Sequence, residues 1–161
     1  MLRIDRSVAT WGRSIIHNGS PDLTEFDLFY LFFWVGLSLG KTESTKNIVK
    51  KDIGSGKTYT APYSHLREML ATVLIMSESK VSGFKTKAQI TKSIEEYMDV
   101  DSPTVLSQKG EDLMMSYVQS GFSEMKKIMP KSPKAADYFV YKAYKRIEEG
   151  FEKNKKWDSA L

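Results

Sequence analysis

One stretch restricts the fold of this chain more than any other. Residues 28–35 read Leu-Phe-Tyr-Leu-Phe-Phe-Trp-Val, apolar nearly all round a helix. A helix of that kind cannot rest one face in water, so it must be covered on every side by the rest of a fold or by a partner. The apolar stretch runs from Phe26 to Leu39, with Glu25 and Asp27 at its start and Gly36 and Gly40 interrupting and closing it. That is about a dozen apolar positions, short of the ~20 a helix needs to cross a bilayer. The run therefore predicts a buried helix at the centre of a core or an interface. Thr24 can cap it, with Asp27 at the position where a capping box closes.

Shorter signals surround this centre. Ile4, Val8, Trp11 and Ile15 recur at helical spacing and predict a first helix ending near residues 17–19. Ser20-Pro21-Asp22 is turn chemistry. Residues 41–61 are polar, with β-favouring runs at 47–49 and 58–60, and a long loop or a small β-hairpin around residues 47–60 both fit. Pro62 suits the first turn of a third helix with a stripe of Leu66, Met69, Leu70, Val73 and Leu74. Val81 to Phe84 breaks it, and a fourth helix starting after Thr86 carries Ile90, Ile94 and Tyr97. Ser102-Pro103 is a start signal for a long helix through Leu106, Leu113, Met114, Tyr117, Val118, Phe122, Met125 and Ile128, with a kink near Gly110 and a stop at Pro130. Ser132-Pro133 repeats that signal for a last helix with a stripe of Ala136, Val140, Ala143, Ile147 and Phe151. No fixed-period repeat is present, which excludes a solenoid. The expectation is a mainly α fold, an irregular bundle of five or six helices forming a single domain over residues 1–161. That length is enough to bury a real core.

The chemistry-bearing motifs mostly fail on inspection. Gly54 to Thr58 contains the Gly-Lys-Thr end of a phosphate-binding loop, but Lys51 stands where the first glycine is required. Without that glycine the backbone amides cannot wrap a phosphate, so a basic turn is the default. There is no cysteine, and His17 and His65 lack any metal-ligand spacing. Glu95-Glu96, Asp99, Asp101 and Glu111-Asp112 are acid-rich, yet Asp99 to Pro103 lacks the glycine and terminal glutamate of a calcium loop. Solvated helix ends are the plainer reading. Nucleophile-elbow, kinase and dinucleotide signatures are absent. The reading that follows is a chain that is not an enzyme and holds no cofactor or metal.

Charge placement is more informative. From Lys126 to Lys156, ten Lys/Arg face four acidic residues, a local balance of +6 in a chain whose total is +4. On the last helix, opposite its apolar stripe, Lys134, Tyr138, Tyr141, Lys142 and Lys145 fall on one face, and Lys153, Lys155 and Lys156 extend it. Lysines interleaved with tyrosines can hold phosphates while the rings stack on bases. A solvated lysine face whose tyrosines pad the bundle rim is the commoner use of such residues. The N-terminal residues lack the apolar core and cleavage site of a signal peptide, and the absence of cysteine fits a reducing compartment, so a cytoplasmic location is expected with no membrane partner.

Two stretches together resemble a known family. Residues 29–41 are similar to the apolar segment closed by Gly-Lys in small helical proteins encoded beside bacterial DNA-phosphorothioation (Dnd) and related phage-defence genes. Residues 111–128, with Glu111, Tyr117, Gly121 and Phe122, are similar to their later helix, although Val118 stands where alanine is usual. The resemblance covers the middle two-thirds of the chain and leaves out the lysine-rich last helix. It implies a small non-enzymatic accessory subunit of a defence or DNA-modification system, acting by binding a protein assembly, DNA or both. It carries over no functional residue. The alternatives are a stand-alone nucleic-acid-binding helical module or small subunit of a nucleoprotein effector, and a hydrolase with an unrecognised carboxylate site.

Overall fold

A computed structural model describes residues 2–18, 23–46, 48–53, 59, 61 and 63–158, without the side chains of residues 17, 18 and 155–158. The order is β1 (Arg3–Asp5), α1 (Arg6–Asn18), α2 (Glu25–Ser38), β2 (Lys50–Asp52), a 3₁₀ turn (Tyr63–Leu66), α3 (Arg67–Val81), α4 (Lys87–Tyr97), α5 (Gln108–Ile128) and α6 (Ala136–Asp158). Among the described residues the fold is mainly α, six helices with one small antiparallel sheet. None of these helices is long and apolar enough to cross a membrane.

The central helix starts as its sequence requires. The Thr24 side chain accepts from the Asp27 amide at 3.3 Å while the Asp27 carboxylate accepts from the Thr24 amide at 2.6 Å. Phe26, Leu28, Phe29, Leu31, Phe32, Phe33, Val35 and Leu37 are all buried. Gly40, at φ +59°, then turns the chain out of α2 in a conformation that only glycine adopts cheaply. Tyr30 and Trp34 are the exceptions in the run, and Trp34 lies furthest along it. Trp34 is half-buried at the rim, with its ring 6.2 Å from Tyr30 and 6.5 Å from Phe151.

α5 is the main neighbour of α2, and two glycines set their separation. A Cβ added to Gly36 would press into the Tyr117 backbone, and one added to Gly121 would press into the Phe32 backbone. The helices touch main chain to main chain, a closeness that any side chain at the crossing would prevent. Around the crossing, Trp11 of α1, Phe32 of α2, Phe122 of α5 and Phe139 of α6 meet with ring centroids 5.5–6.0 Å apart. Edge-on and tilted rings at this spacing add attraction beyond simple burial. Four helices are thus pinned on one aromatic cluster.

Several expected boundaries move. Ile4 belongs to β1, not to α1, and is fully buried there. Its strand pairs antiparallel with β2, Ile4 opposite Lys51, so the small sheet joins the segment around 47–60 to the N-terminus. Ser102-Pro103 does not start α5. Residues 100–105 form turns, Leu106 bridges to Met98, and Ser107 caps the helix with its side chain on the Gly110 amide at 3.2 Å. Gly110 sits in the first turn of α5, where a side chain would strike the Tyr97 carbonyl, so it serves close packing. Ser132 caps no helix either. Its hydroxyl donates to the Trp11 carbonyl and holds residues 132–133 against α1, and α6 begins three residues beyond Pro133. Glu111, expected in solvent, is buried and accepts from the Thr104 hydroxyl at 2.8 Å.

Candidate functional site

The lysine-tyrosine face lies on a helix fixed from behind. α6 buries Ala136, Phe139 and Ala143 in the core, and Gly150 rests against Ser38 closely enough that a Cβ would collide with it. The Asn154 side chain donates to the Ser38 carbonyl at 2.6 Å. Arg146 reaches across to α5, its Nε at 3.0 Å and Nη2 at 2.7 Å from one carboxylate oxygen of Glu124. Burial pushes the Glu124 carboxyl up, but its hydrogen bonds from Lys127 and Arg146, with their charges, hold it below the usual carboxylate range. These contacts fix which side of α6 faces outward.

On that outer side Tyr138 and Tyr141 are 53% and 60% exposed. The Lys142 ammonium stands 5.3 Å from the centre of the Tyr138 ring, a cation–π contact that spreads the Lys142 stem along the helix. Lys145 and Lys153 are exposed on α6. Lys134 is exposed as well, but it lies in the turn before the helix, because α6 starts only at Ala136. Lys155 and Lys156 fall within the helical span, and their side chains lie outside the described residues. The +6 balance is also less free than a count suggests. Arg146 is committed to Glu124 and Glu149, and Lys127 to Glu124.

Tyr144 is an addition to the expected set. It is 61% exposed, and it follows Tyr141 at the same three-residue step that separates Tyr141 from Tyr138. Beside it Tyr144, Val140, Tyr30, Tyr63 and Asp27 line a shallow hollow of 250 Å³ between α6, α2 and the 3₁₀ turn. The Tyr63 hydroxyl donates to the Asp27 carboxylate, and burial, with that bond, raises the Tyr63 pKa. The tyrosine row therefore continues from the outer face of α6 into an aromatic hollow.

The other sequence candidates resolve as follows. Lys51, the residue that breaks the phosphate-loop pattern, is in β2 and forms an ion pair with Glu25 of α2. Gly54 to Thr58 lie outside the described residues, and so does the 20–22 turn. His65 is exposed on the 3₁₀ turn. Among the described residues, no three His, Cys, Asp or Glu side chains converge where they could hold a metal ion. The fold and this surface together define a helical chain with a rigidly backed cationic and aromatic face. No protein-family model, curated protein or solved structure matches the chain.

Proposed function

We propose that this protein is a non-catalytic accessory subunit that binds nucleic acid through the outer face of α6 while serving a larger protein assembly. The observation that carries the reading is the row Tyr138, Tyr141 and Tyr144, each more than half exposed on a helix locked from behind, with Lys142 and Lys145 interleaved. Large rings left in water contribute nothing to the core, whereas rings beside lysines suit bases stacked next to held phosphates. The resemblance to the Dnd-associated proteins supports a setting in DNA modification or phage defence, in the cytoplasm.

Anisotropy titration with labelled single- and double-stranded DNA and RNA tests this. Log affinity should fall linearly with log salt, by about 0.7–0.9 per phosphate contact. Replacing Lys142 and Lys145 with glutamine should lower that slope by roughly two contacts and leave sequence preference alone. Tyr141→Ala should weaken single-strand binding by about 1–3 kcal/mol if the ring stacks. No binding at about 50 mM salt, where the electrostatic term is strong, refutes the nucleic-acid reading and leaves the face to a protein partner.

A further inference from the structure

α4 is packed inside out. Its only buried side chain among the described residues is Ser93, whose hydroxyl has no hydrogen-bond partner there, while Ile90 and Ile94 are 41% and 42% exposed. A helix shaped for the isolated chain would turn its isoleucines inward and its serine out. Here Ile90 and Ile94 instead line an open groove of 440 Å³ with Ile75 and Met76 of α3, Phe84 of the turn and Met98. Met76 is itself 66% exposed. Contiguous apolar surface of this kind marks an interaction site.

The charges beside the groove say what fits it. At the α3–α4 turn stand Lys85 and Lys87, both exposed, next to Lys80 on the groove wall. At the far end of α4, about 15 Å away at 1.5 Å per residue, stand the exposed Glu95, Asp99 and Asp101. Each end also bears an exposed valine, Val81 by the lysines and Val100 between the aspartates. The complement of this surface is apolar in the middle, acidic at one end and basic at the other. The surface itself has that description. A two-fold axis through the Ile90–Ile94 region sets each lysine end against the other copy's carboxylates, as an isologous contact requires.

We propose that the α3–α4 face is the interface of a two-fold symmetric homodimer, with the isoleucines packed at its centre and the charged ends crossed. The proposal is independent of the α6 face. Sedimentation velocity on the full chain from about 1 to 200 µM should show a concentration-dependent dimer. Ile94→Glu should leave only monomer, with helical content unchanged. Lys85→Glu with Lys87→Glu should raise the dimer Kd about tenfold or more by facing like charges. Adding Glu95→Lys and Asp101→Lys to that same chain should restore association, because both ends are then reversed. All four charged positions are exposed, so this series decides the matter even if Ile94→Glu fails to fold. A wild-type chain that stays monomeric at the highest concentration overturns the proposal. So does a dimer indifferent to Ile94→Glu and to the charge reversals, or a monomer that captures a different protein through Ile94.

Discussion

Replacing Gly36 with alanine probes the contact on which the core is organised. The added Cβ would stand 2.8 Å from the Tyr117 carbonyl carbon and 3.2 Å from the Gly121 nitrogen, with the Tyr117 oxygen closer still. Carbon atoms settle at about 3.5–4.0 Å, so the two backbones must part by about 1 Å. No side-chain rotation can relieve the clash, since every obstacle is main chain. Overpacking of a filled core costs about 1–3 kcal/mol, and a rigid obstacle belongs at the upper end. Parting the helices also loosens Phe33 against Tyr117, whose rings lie 6.5 Å apart, and a gap of that size forfeits a quarter to a half of each contact's attraction. Against this, alanine gains about 1 kcal/mol over glycine in a helix interior. The balance is a loss of about 2–3 kcal/mol, or about 4–12 °C in melting temperature for a chain of this size. Urea and thermal unfolding followed by circular dichroism would measure it. Gly121→Ala, on the other side of the same gap, should cost a similar amount, and the double variant should cost less than the sum because the helices have already parted. If Gly36→Ala melts at or above the parent temperature, the helices are not in backbone contact and this account of the core is wrong.

Two further outcomes follow from particular side chains. Trp34→Ala should cost about 1.5–2.5 kcal/mol, below the ~3–5 typical of a central tryptophan, because Trp34 sits at the rim; a loss of 4 kcal/mol or more in urea unfolding would place it in the core after all. Glu124 should make stability acid-sensitive: its carboxyl is held below its unfolded value, so its contribution is complete above about pH 5 and disappears as pH falls through the folded pKa. Glu124→Gln should lower stability at pH 7 by about 1.5–3 kcal/mol and flatten that acid limb, and an unchanged pH profile would show that the Arg146 pair is not maintained.

What could be read from the sequence was what local chemistry determines. Thr24 with Asp27, and Thr86 with Gln89, close capping boxes whose partners are three residues apart, and Gly40 and Gly83 stop helices by a single positive φ. What could not be read depends on partners far along the chain. Ser102-Pro103 carries a local helix-start signal, yet α5 starts after Ser107, beyond the Met98–Leu106 bridge and Val105 at φ +54°. β1 is three residues long and has no pattern of its own. It exists because residues 50–52 lie beside it. Phe139 lies outside the expected stripe of α6 and yet is as fully buried as Ala143 within it, because the aromatic cluster sits a step round the helix from the aliphatic one. The face of α6 was legible as residue types at helical spacing. That Lys134 precedes the helix, and that Tyr144 joins the row, needed the helix start and the packing behind it.

The clasp between Ser132 and Trp11 has a consequence for how the chain comes into being. Those two residues are 121 positions apart, and Phe139, the last ring of the aromatic cluster, comes later still. At about 5–20 residues per second, a ribosome needs roughly 6–25 s to pass from one side of the clasp to the other. For most of that interval Trp11 and the greasy α2 have been made while α5 and α6, which cover them, have not. Apolar surface left uncovered for that long is prone to aggregate, so truncations before residue 139 should aggregate where the full chain folds.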